Sequence, residues 1–161
     1  MYHTSFGRRR QTKLDITIKD NMEIQELHNY TQAQFEDLKQ LMSELSDRVN
    51  FTQTDLMLVL KDTNCHLYVI LNDEHIVGCA TLCIFHSPTG TKASIEDVVV
   101  SSDYRGQRLG KKLMEFVLDQ AQQFAPIELH LTSNPKRIAA NKRYQSLGFQ
   151  KKETNCYRMI Y

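Results

Sequence analysis

Neither positive nor negative charge dominates this chain, and no apolar run in it is long enough to cross a membrane. Its 161 residues include 20 basic and 19 acidic side chains, which gives a formal net charge of +1. A balance this even argues against nucleic acid or an anionic membrane as an obligate partner. The longest nearly unbroken apolar run is IVGCATLCIF at 76–85. A spanning helix needs roughly 20 apolar residues, so this run is predicted to be a buried strand.

Metal-ligand spacings and targeting signals are missing as well. The four cysteines form no C-x-x-C pair, and neither they nor the six histidines have metal-ligand spacing, so we expect no metal. Cys79 and Cys83 are predicted to face the same side of one strand as small core residues. The N-terminal stretch MYHTSFGRRRQTK has no apolar segment of the kind that signal peptides carry. A cytoplasmic location with reduced thiols is therefore the expectation.

The composition is that of one globular domain with a polar extension. The apolar fraction is 41% and the charged fraction 24%, both ordinary for such a domain. Residues 1–21 are predicted to be a polar N-terminal extension, and residues 22–161 the domain. One alternative reading makes Arg8, Arg9 and Arg10 a docking arm for nucleic acid.

The order of predicted elements is mixed α/β, with antiparallel strands first and a strand-helix-strand crossover later. The predicted strands are MEIQELHNY, CHLYVIL, HIVGCATLCIF, ASIEDVVV and IELHLT, followed by a terminal hairpin of FQKKET and CYRMIY. Capping boxes at Thr31 and Thr52 predict two helices. A third helix carries an apolar stripe after residue 108, and a fourth begins with Pro135 at its first position after an Asn134 cap.

The stretch DYRGQRLGKKL at 103–113 is the first candidate for a binding site. A glycine-containing loop between a strand and a helix points several N–H groups at one spot, where the helix dipole favours phosphate. Gly106 and Gly110 let the backbone approach a ligand closely. The basic residues of the stretch can add charge-assisted hydrogen bonds: Arg105, Arg108 and Lys111. A solvated basic turn is the alternative that the loop alone leaves open.

The spacing of this loop excludes two familiar nucleotide-binding loops. A nucleoside-triphosphate loop needs G-x-x-x-x-G-K-[ST], but only three residues separate Gly106 from Gly110, and Lys111 is followed by Lys112. The dinucleotide fingerprint G-x-G-x-x-G does not occur here. So short a glycine pattern does not by itself distinguish a phosphate-binding loop from a solvated basic turn.

IEDVVVSSDYRGQRLGKKL followed by NKRYQSLGF resembles the GNAT superfamily of acyl-coenzyme A-dependent N-acetyltransferases, and the resemblance covers residues 22–161. The family's loop is Q/R-x-x-G-x-G/A, which residues 105–110 match except at Arg108, where the family usually has glycine. Either Arg108 has a backbone conformation that needs no glycine, or its amide is displaced and its guanidinium compensates. The fold implied is α/β (α+β), a mixed, mostly antiparallel central sheet splayed between its fourth and fifth strands and flanked by helices.

The resemblance implies acetyl-CoA as the cofactor. Its pyrophosphate is expected on the amides of residues 105–111, and its pantetheine arm along the strand at Val98–Val100, where the sheet splays. The cofactor-binding residues implied in this way are Val98, Val99, Val100, Arg105, Gly106, Gln107, Arg108, Leu109, Gly110, Lys111, Asn141 and Tyr144. Arg137 stands where many members carry asparagine.

Acetyl transfer to an amine needs a base, a donor for the developing oxyanion, and an acid for the leaving thiolate. By resemblance, Glu96 is expected to be the base and Tyr144 the acid, with a backbone amide near Val98 as the donor. A salt-bridged carboxylate at a strand end and a buried structural tyrosine are the alternatives. In a regular strand Glu96 and Asp97 would lie on opposite faces. His130 could approach the site, although a hydrogen-bonded strand histidine is the alternative.

The function implied is an N-acetyltransferase that moves the acetyl group of acetyl-CoA to a primary amine of a small metabolite in a ternary complex. The alternatives are a non-catalytic acyl-CoA sensor and a protein-lysine or N-terminal acetyltransferase. By resemblance, the acceptor is expected near 46–51 and 151–156. IEDVVV resembles the amino-sugar-phosphate branch of the family. A homodimer is one option, because terminal-hairpin pairing is common in the family.

Overall fold

The computed structural model describes residues 16–19, 21–47 and 49–161. Its strands are β1 Ile16–Lys19, β2 Met22–Glu26, β3 Cys65–Asn72, β4 His75–Ser87, β5 Gly90–Val100 and β6 Glu128–Leu131. Its helices are α1 Gln32–Leu45, α2 Gln53–Lys61, α3 Leu109–Ala121 and α4 Ile138–Ser146. Short 3-10 turns follow β5 at Ser102–Tyr104 and α3 at Gln122–Phe124. The reading of Arg8–Arg10 as a docking arm concerns residues outside the described ranges.

The six strands form one sheet in chain order, β1-β2-β3-β4-β5-β6. Neighbours from β1 to β5 are antiparallel, and β5 with β6 is the parallel pair. The predicted α/β fold with a mixed, mostly antiparallel sheet is confirmed, and its fourth and fifth strands counted from Met22 are β5 and β6. Ile16–Lys19, within the segment predicted as an extension, pairs with β2.

Helices cover both faces of the sheet because the strands alternate their side chains between the two faces. Leu67, Val69 and Leu71 of β3 pack with α1 and α2, whereas Tyr68 and Ile70 of the same strand pack with α3. The buried stripe of α3 consists of Leu109, Leu113, Met114, Phe116, Val117 and Ala121. The valine run at the end of β5 contributes to both cores, as a strand covered on both faces should.

Both predicted capping boxes are present. Thr31 caps α1 in a reciprocal pair with Gln34, and Thr52 caps α2 in the same way with Asp55. Each box satisfies N–H groups that the first helical turn leaves without a carbonyl partner. These two helices therefore begin where local side-chain chemistry predicts.

The predicted start of the fourth helix is wrong by three residues. Helix α4 begins at Ile138 rather than at Pro135. The Asn134 side chain accepts a hydrogen bond from the Lys136 N–H (2.9 Å), and its carbonyl accepts one from the Arg137 N–H (2.9 Å). This side-chain turn competes with helix formation and delays it.

The predicted terminal hairpin is also wrong. Residues 149–161 contain no strand, and the apolar side chains Tyr157, Met159, Ile160 and Tyr161 are exposed. The adjacent strand β6 has only four residues. An isolated two-stranded hairpin is marginal in water unless it packs on a third strand or a helix, and residues 150–161 are exposed throughout.

No helix within the described part of the chain is long and apolar enough to cross a membrane.

Candidate active site

The sheet parts between β5 and β6. Their parallel pairing runs from Lys92 opposite Glu128 to Ile95 opposite Leu131, and β5 then continues to Val100 with its β6 side unpaired. A cavity of about 740 Å³ opens along this unpaired end of β5. The predicted splay between these two strands is confirmed, and it exposes backbone N–H and C=O groups that a bound ligand could satisfy.

A β-bulge lies where β5 leaves its partner β6. On the other side of β5, Thr81 pairs with Glu96 and Cys79 with Val99, so Asp97 and Val98 both stand opposite the single residue Ala80. Asp97 has a left-handed backbone with φ of 52°. Bulges of this kind bend a strand and re-aim its groups, and they are frequent beside active sites.

The bulge changes the expected placement of the two carboxylates. A regular strand would put Glu96 and Asp97 on opposite faces, but both border a second, smaller cavity of about 150 Å³. This small cavity shares four wall residues with the large one: Leu45, Val98, Arg137 and Tyr144. The two cavities are therefore neighbouring parts of one cleft.

Most of the predicted cofactor-binding residues border the large cavity. Its wall includes Val98, Val99, Val100, Arg105, Gly106, Arg108, Leu109, Gly110 and Tyr144. Gln107, Lys111 and Asn141 do not line it. The Asn141 side chain instead donates a hydrogen bond to the Asn134 carbonyl at 3.0 Å, which fixes the loop before α4. The roles of all these residues toward a cofactor stay predictions.

Helix α3 starts on the wall of the large cavity. Its first N–H groups have no carbonyl of a preceding turn to bind, and the helix dipole makes this end positive. Gly106 has a φ of 78°, a conformation that favours glycine. The basic side chains on this wall are Arg105, Arg108, Lys136, Arg137 and Arg143, whereas Glu44 is its acidic member.

Arg108 has the backbone of the glycine it replaces. It is the N-cap of α3 with φ of 60° and ψ of 15°, and its side chain makes no capping hydrogen bond. Of the two alternatives for Arg108, the one that gives it a backbone conformation with no need for glycine is therefore wrong. An L-residue in this region costs roughly 1–2 kcal/mol, so the chain tolerates strain at the helix entrance.

Sequence reasoning did not find Arg143. This residue of α4 borders the large cavity, and its guanidinium lies against Gly110 in the first turn of α3. Neither the helical stripe nor the NKRYQSLGF motif singles out Arg143 from its basic neighbour Lys142. Only the packing of α4 beside α3 reveals its place.

Tyr144 is 7% exposed and borders both cavities. Its ring packs edge-on against Phe149, with centroids 6.2 Å apart. This location combines what the two readings of the residue require, a packed core aromatic and a tyrosine within reach of the cleft.

The two carboxylates at the bulge differ in their surroundings. Glu96 and Asp97 are both exposed, and the Ser94 hydroxyl donates a hydrogen bond to Glu96. Partial burial raises the pKa of Asp97, and the neighbouring charge of Glu96 raises it further. A carboxyl with a raised pKa is a better general base near neutral pH than an ordinary one.

Some of the other predicted residues border the cleft, and others do not. His130 Nε2 stands 3.6 Å from Glu128 Oε1, and His130 lines neither cavity. Arg137 borders both. Leu45 borders both cavities, whereas the described residues of the predicted acceptor regions, 46–47, 49–51 and 151–156, line neither. Within the described ranges, no group of three histidine, cysteine, aspartate or glutamate side chains is arranged to hold a metal ion.

A family model of the acetyltransferase (GNAT) family matches residues 24–149. The probable glucosamine 6-phosphate N-acetyltransferase of Drosophila melanogaster is 29% identical over 119 residues, 68% of this chain and 53% of that protein. The aminoalkylphosphonate N-acetyltransferase of Salmonella typhimurium is 29% identical over 93 residues, 56% of this chain and 60% of that protein. The chain thus spans little more than half the length of these curated relatives.

The fold is also found among solved structures. Aminoglycoside N-acetyltransferase AAC(6')-Iy, determined in complex with CoA, superposes with a TM-score of 0.69 at 17% identity. The match covers 86% of this chain and 94% of that one. At this identity the likeness concerns the arrangement of strands and helices.

Proposed function

Because the chain belongs to the acetyltransferase (GNAT) family, we propose that it is an N-acetyltransferase. The proposed reaction moves the acetyl group of acetyl-CoA to a primary amine of a small metabolite within a ternary complex. One observation carries the proposal. The basic entrance of α3, the open edge of β5, the two carboxylates and Tyr144 all border one cleft.

The charge of the large cavity and the open edge of β5 on its wall support the proposed cofactor. Its pyrophosphate is expected at the first N–H groups of α3, where Arg105 and Arg108 add positive charge. The pantetheine arm carries amide groups, which can pair with the free backbone of Val98–Val100 as an added strand would. The CoA complex of the structural neighbour supports this choice.

The chemistry requires that a proton leave the acceptor ammonium before its nitrogen attacks the thioester carbonyl. Glu96 is the predicted base, and Asp97, with its raised pKa, is a second candidate at the same cavity. The bulge leaves Val98 without a register partner on β4, so its N–H is expected to stabilise the oxyanion. Tyr144 would give a proton to the departing thiolate.

The small cavity supports an acceptor that carries both an amine and an anionic group. Glu96 and Asp97 supply negative charge for an ammonium, and Arg137 supplies positive charge on the same wall. The names of both curated relatives, a glucosamine 6-phosphate and an aminoalkylphosphonate N-acetyltransferase, describe amines of this type. A protein-lysine or N-terminal substrate is the alternative within the same chemistry.

The homodimer stays a prediction and has one observation in its favour. Tyr157, Met159, Ile160 and Tyr161 expose apolar side chains in the C-terminal segment. Large apolar side chains exposed close together in one segment are compatible with a surface that a partner covers.

The test measures CoA release from acetyl-CoA with amines supplied in pairs, each with and without a phosphate or phosphonate group. We expect turnover with the anionic member of a pair, and a loss of turnover of about 100-fold or more in Glu96→Gln, Asp97→Asn or Tyr144→Phe for whichever residues act. Acetyl-CoA binding should persist in these variants. Binding of acetyl-CoA without turnover of any amine would instead identify a non-catalytic sensor.

A further inference from the structure

The backbone dihedral angles of Gly110 do not require glycine. It lies in the first turn of α3 and is not among the glycines with positive φ. Alanine is a better helix former than glycine, so a helical position occupied by glycine calls for another explanation. A Cβ built on Gly110 would stand 2.7 Å from Nη1 and 3.5 Å from Cζ of Arg143. The missing side chain leaves the space that the Arg143 guanidinium occupies.

The Arg143 guanidinium shares the cavity wall with other positive groups. It lies beside the positive end of α3, on a wall that it shares with Arg105 and Arg108. No ion pair among the described residues includes Arg143. Glu44, the acidic residue of the same wall, accepts a hydrogen bond from the Ser102 N–H. A cation in such surroundings is stabilised when an anion enters.

We propose that Arg143 is a cofactor-binding residue that contacts the pyrophosphate of CoA, and that Gly110 is small in order to seat it. The inference rests on the proposed function, because it assumes that CoA occupies the large cavity. The guanidinium lies against the same helical turn whose N–H groups are expected to bind the pyrophosphate, so side chain and backbone converge on one group. A planar guanidinium can bind phosphate through two parallel hydrogen bonds, which a lysine ammonium cannot do.

Calorimetric titration with CoA and with dephospho-CoA, which keeps the pyrophosphate but lacks the 3′-phosphate, tests this assignment. We expect Arg143→Ala to weaken the binding of both ligands by about 10- to 100-fold and by the same factor. Arg143→Lys should restore only part of the loss. The matched control is Lys142→Ala, which removes one positive charge from the same helix at an exposed residue away from the cavity wall. It should stay within about twofold of the wild type.

A second variant tests the role of Gly110. Gly110→Ala should weaken CoA binding in the wild-type background and have little further effect in Arg143→Ala, because no guanidinium is then displaced. Circular dichroism of each variant confirms that it is folded.

Three results would overturn the inference, and they differ from one another. Unchanged CoA affinity in Arg143→Ala removes Arg143 from the site. A loss for CoA but not for dephospho-CoA moves its contact to the 3′-phosphate. Wild-type protein that binds neither ligand overturns the proposed function, and the inference with it.

Discussion

At the scale of single residues, Arg108 combines a left-handed backbone, φ 60°, with a place on the wall of the proposed cofactor cavity. Glycine would adopt the same backbone without steric cost but would bring no charge. Arginine at this position therefore lowers the stability of the local backbone but places a positive charge beside the first turn of α3. Such exchanges are typical of binding sites.

Arg108→Gly should separate the two effects. Relief of the left-handed strain is expected to raise the free energy of unfolding by about 0.5–1 kcal/mol, after the entropic cost of glycine is deducted. CoA affinity should fall, because one cation is lost from the cavity. Urea denaturation and calorimetric titration measure the two quantities. The control is Arg105→Gly: Arg105 has an ordinary φ of −64°, so this variant should lower stability. If Arg108→Gly also lowers stability, the left-handed backbone of Arg108 is not strained in the way proposed.

The raised pKa of Asp97 predicts that the stability of the protein depends on pH. Because its pKa is raised in the folded state by partial burial and by Glu96, the stability it contributes is complete below its ordinary pKa of 3.8 and is lost as the pH rises through the folded value. Asp97→Asn should therefore raise the melting temperature at pH 7 and lose this advantage toward pH 4.

Asparagine also tolerates a left-handed backbone, but that contribution does not depend on pH. A difference between Asp97→Asn and wild type that stays constant from pH 4 to pH 7 would contradict the raised pKa. Melting curves across this range decide between the two outcomes.

At the scale of elements, a hydrogen bond between a carboxylate and a histidine links the two strands β2 and β3 near their ends. Glu26 Oε1 lies 2.7 Å from His66 Nδ1. Burial alone would raise the pKa of Glu26, but its hydrogen bond and charge interaction with His66 outweigh burial, so that the pKa lies below its ordinary value of 4.5. The stability from this pair is present above pH 4.5 and is lost as the pH falls through the lowered value.

Glu26→Gln should lower the free energy of unfolding by about 1 kcal/mol near pH 6. The deficit should shrink as the pH falls below 4.5, where wild type loses the same interaction. Glu23→Gln on the same strand removes one charge without touching the pair and is the control. An equal deficit for Glu26→Gln at pH 3 and pH 6 would show that packing, rather than ionisation, explains it. Chemical denaturation at each pH gives the values.

The sequence predicts those elements whose signals are local. The boxes at Thr31 and Thr52 identify the first two helices, and the apolar stripe from Leu109 to Ala121 identifies α3. The bulge at Asp97 leaves no such signal, because the pattern IEDVVV reads the same in a regular strand. The start of α4 depends on whether residues 135–137 are helical or form a turn. The hydrogen bonds that Asn134 accepts from Lys136 and Arg137 stabilise the turn. The predicted terminal hairpin is absent because the residues after Phe149 are exposed and bury no apolar side chain.

The same distinction applies to the site. Glycine spacing predicts the loop at 105–110, and resemblance predicts Glu96 and Tyr144, since each belongs to a short motif. Arg143 and Asp97 emerge only when α4 packs beside α3 and β5 bulges against β4. These are contacts between distant segments, which a single sequence does not encode in its periodicity.

At the scale of the whole molecule, the sheet separates two cores, and α3 belongs to the core that carries the cleft. Leu113 of α3 is fully buried there. The entrance of α3 is positioned by this packing, so the stability of the core and the geometry of the site are linked.

Leu113→Ala should lower the free energy of unfolding by about 2–5 kcal/mol, because it removes apolar contacts and leaves a cavity. For a domain of this size the melting temperature should fall by roughly 2–4 °C for each kcal/mol. Asp119→Ala, at an exposed position of the same helix, should change it little. A loss below about 1 kcal/mol for Leu113→Ala would mean that α3 is held less tightly than its burial indicates. Scanning calorimetry of both variants measures these shifts.

A crystal structure of the protein with CoA bound would test the proposed cofactor site. The geometry of the cleft predicts that the pyrophosphate lies within hydrogen-bond distance of N–H groups in residues 105–111 and of the Arg143 guanidinium. It also predicts that the pantetheine arm runs along Val98–Val100 between β5 and β6. CoA bound elsewhere, or bound with no phosphate contact to the first turn of α3, would contradict it.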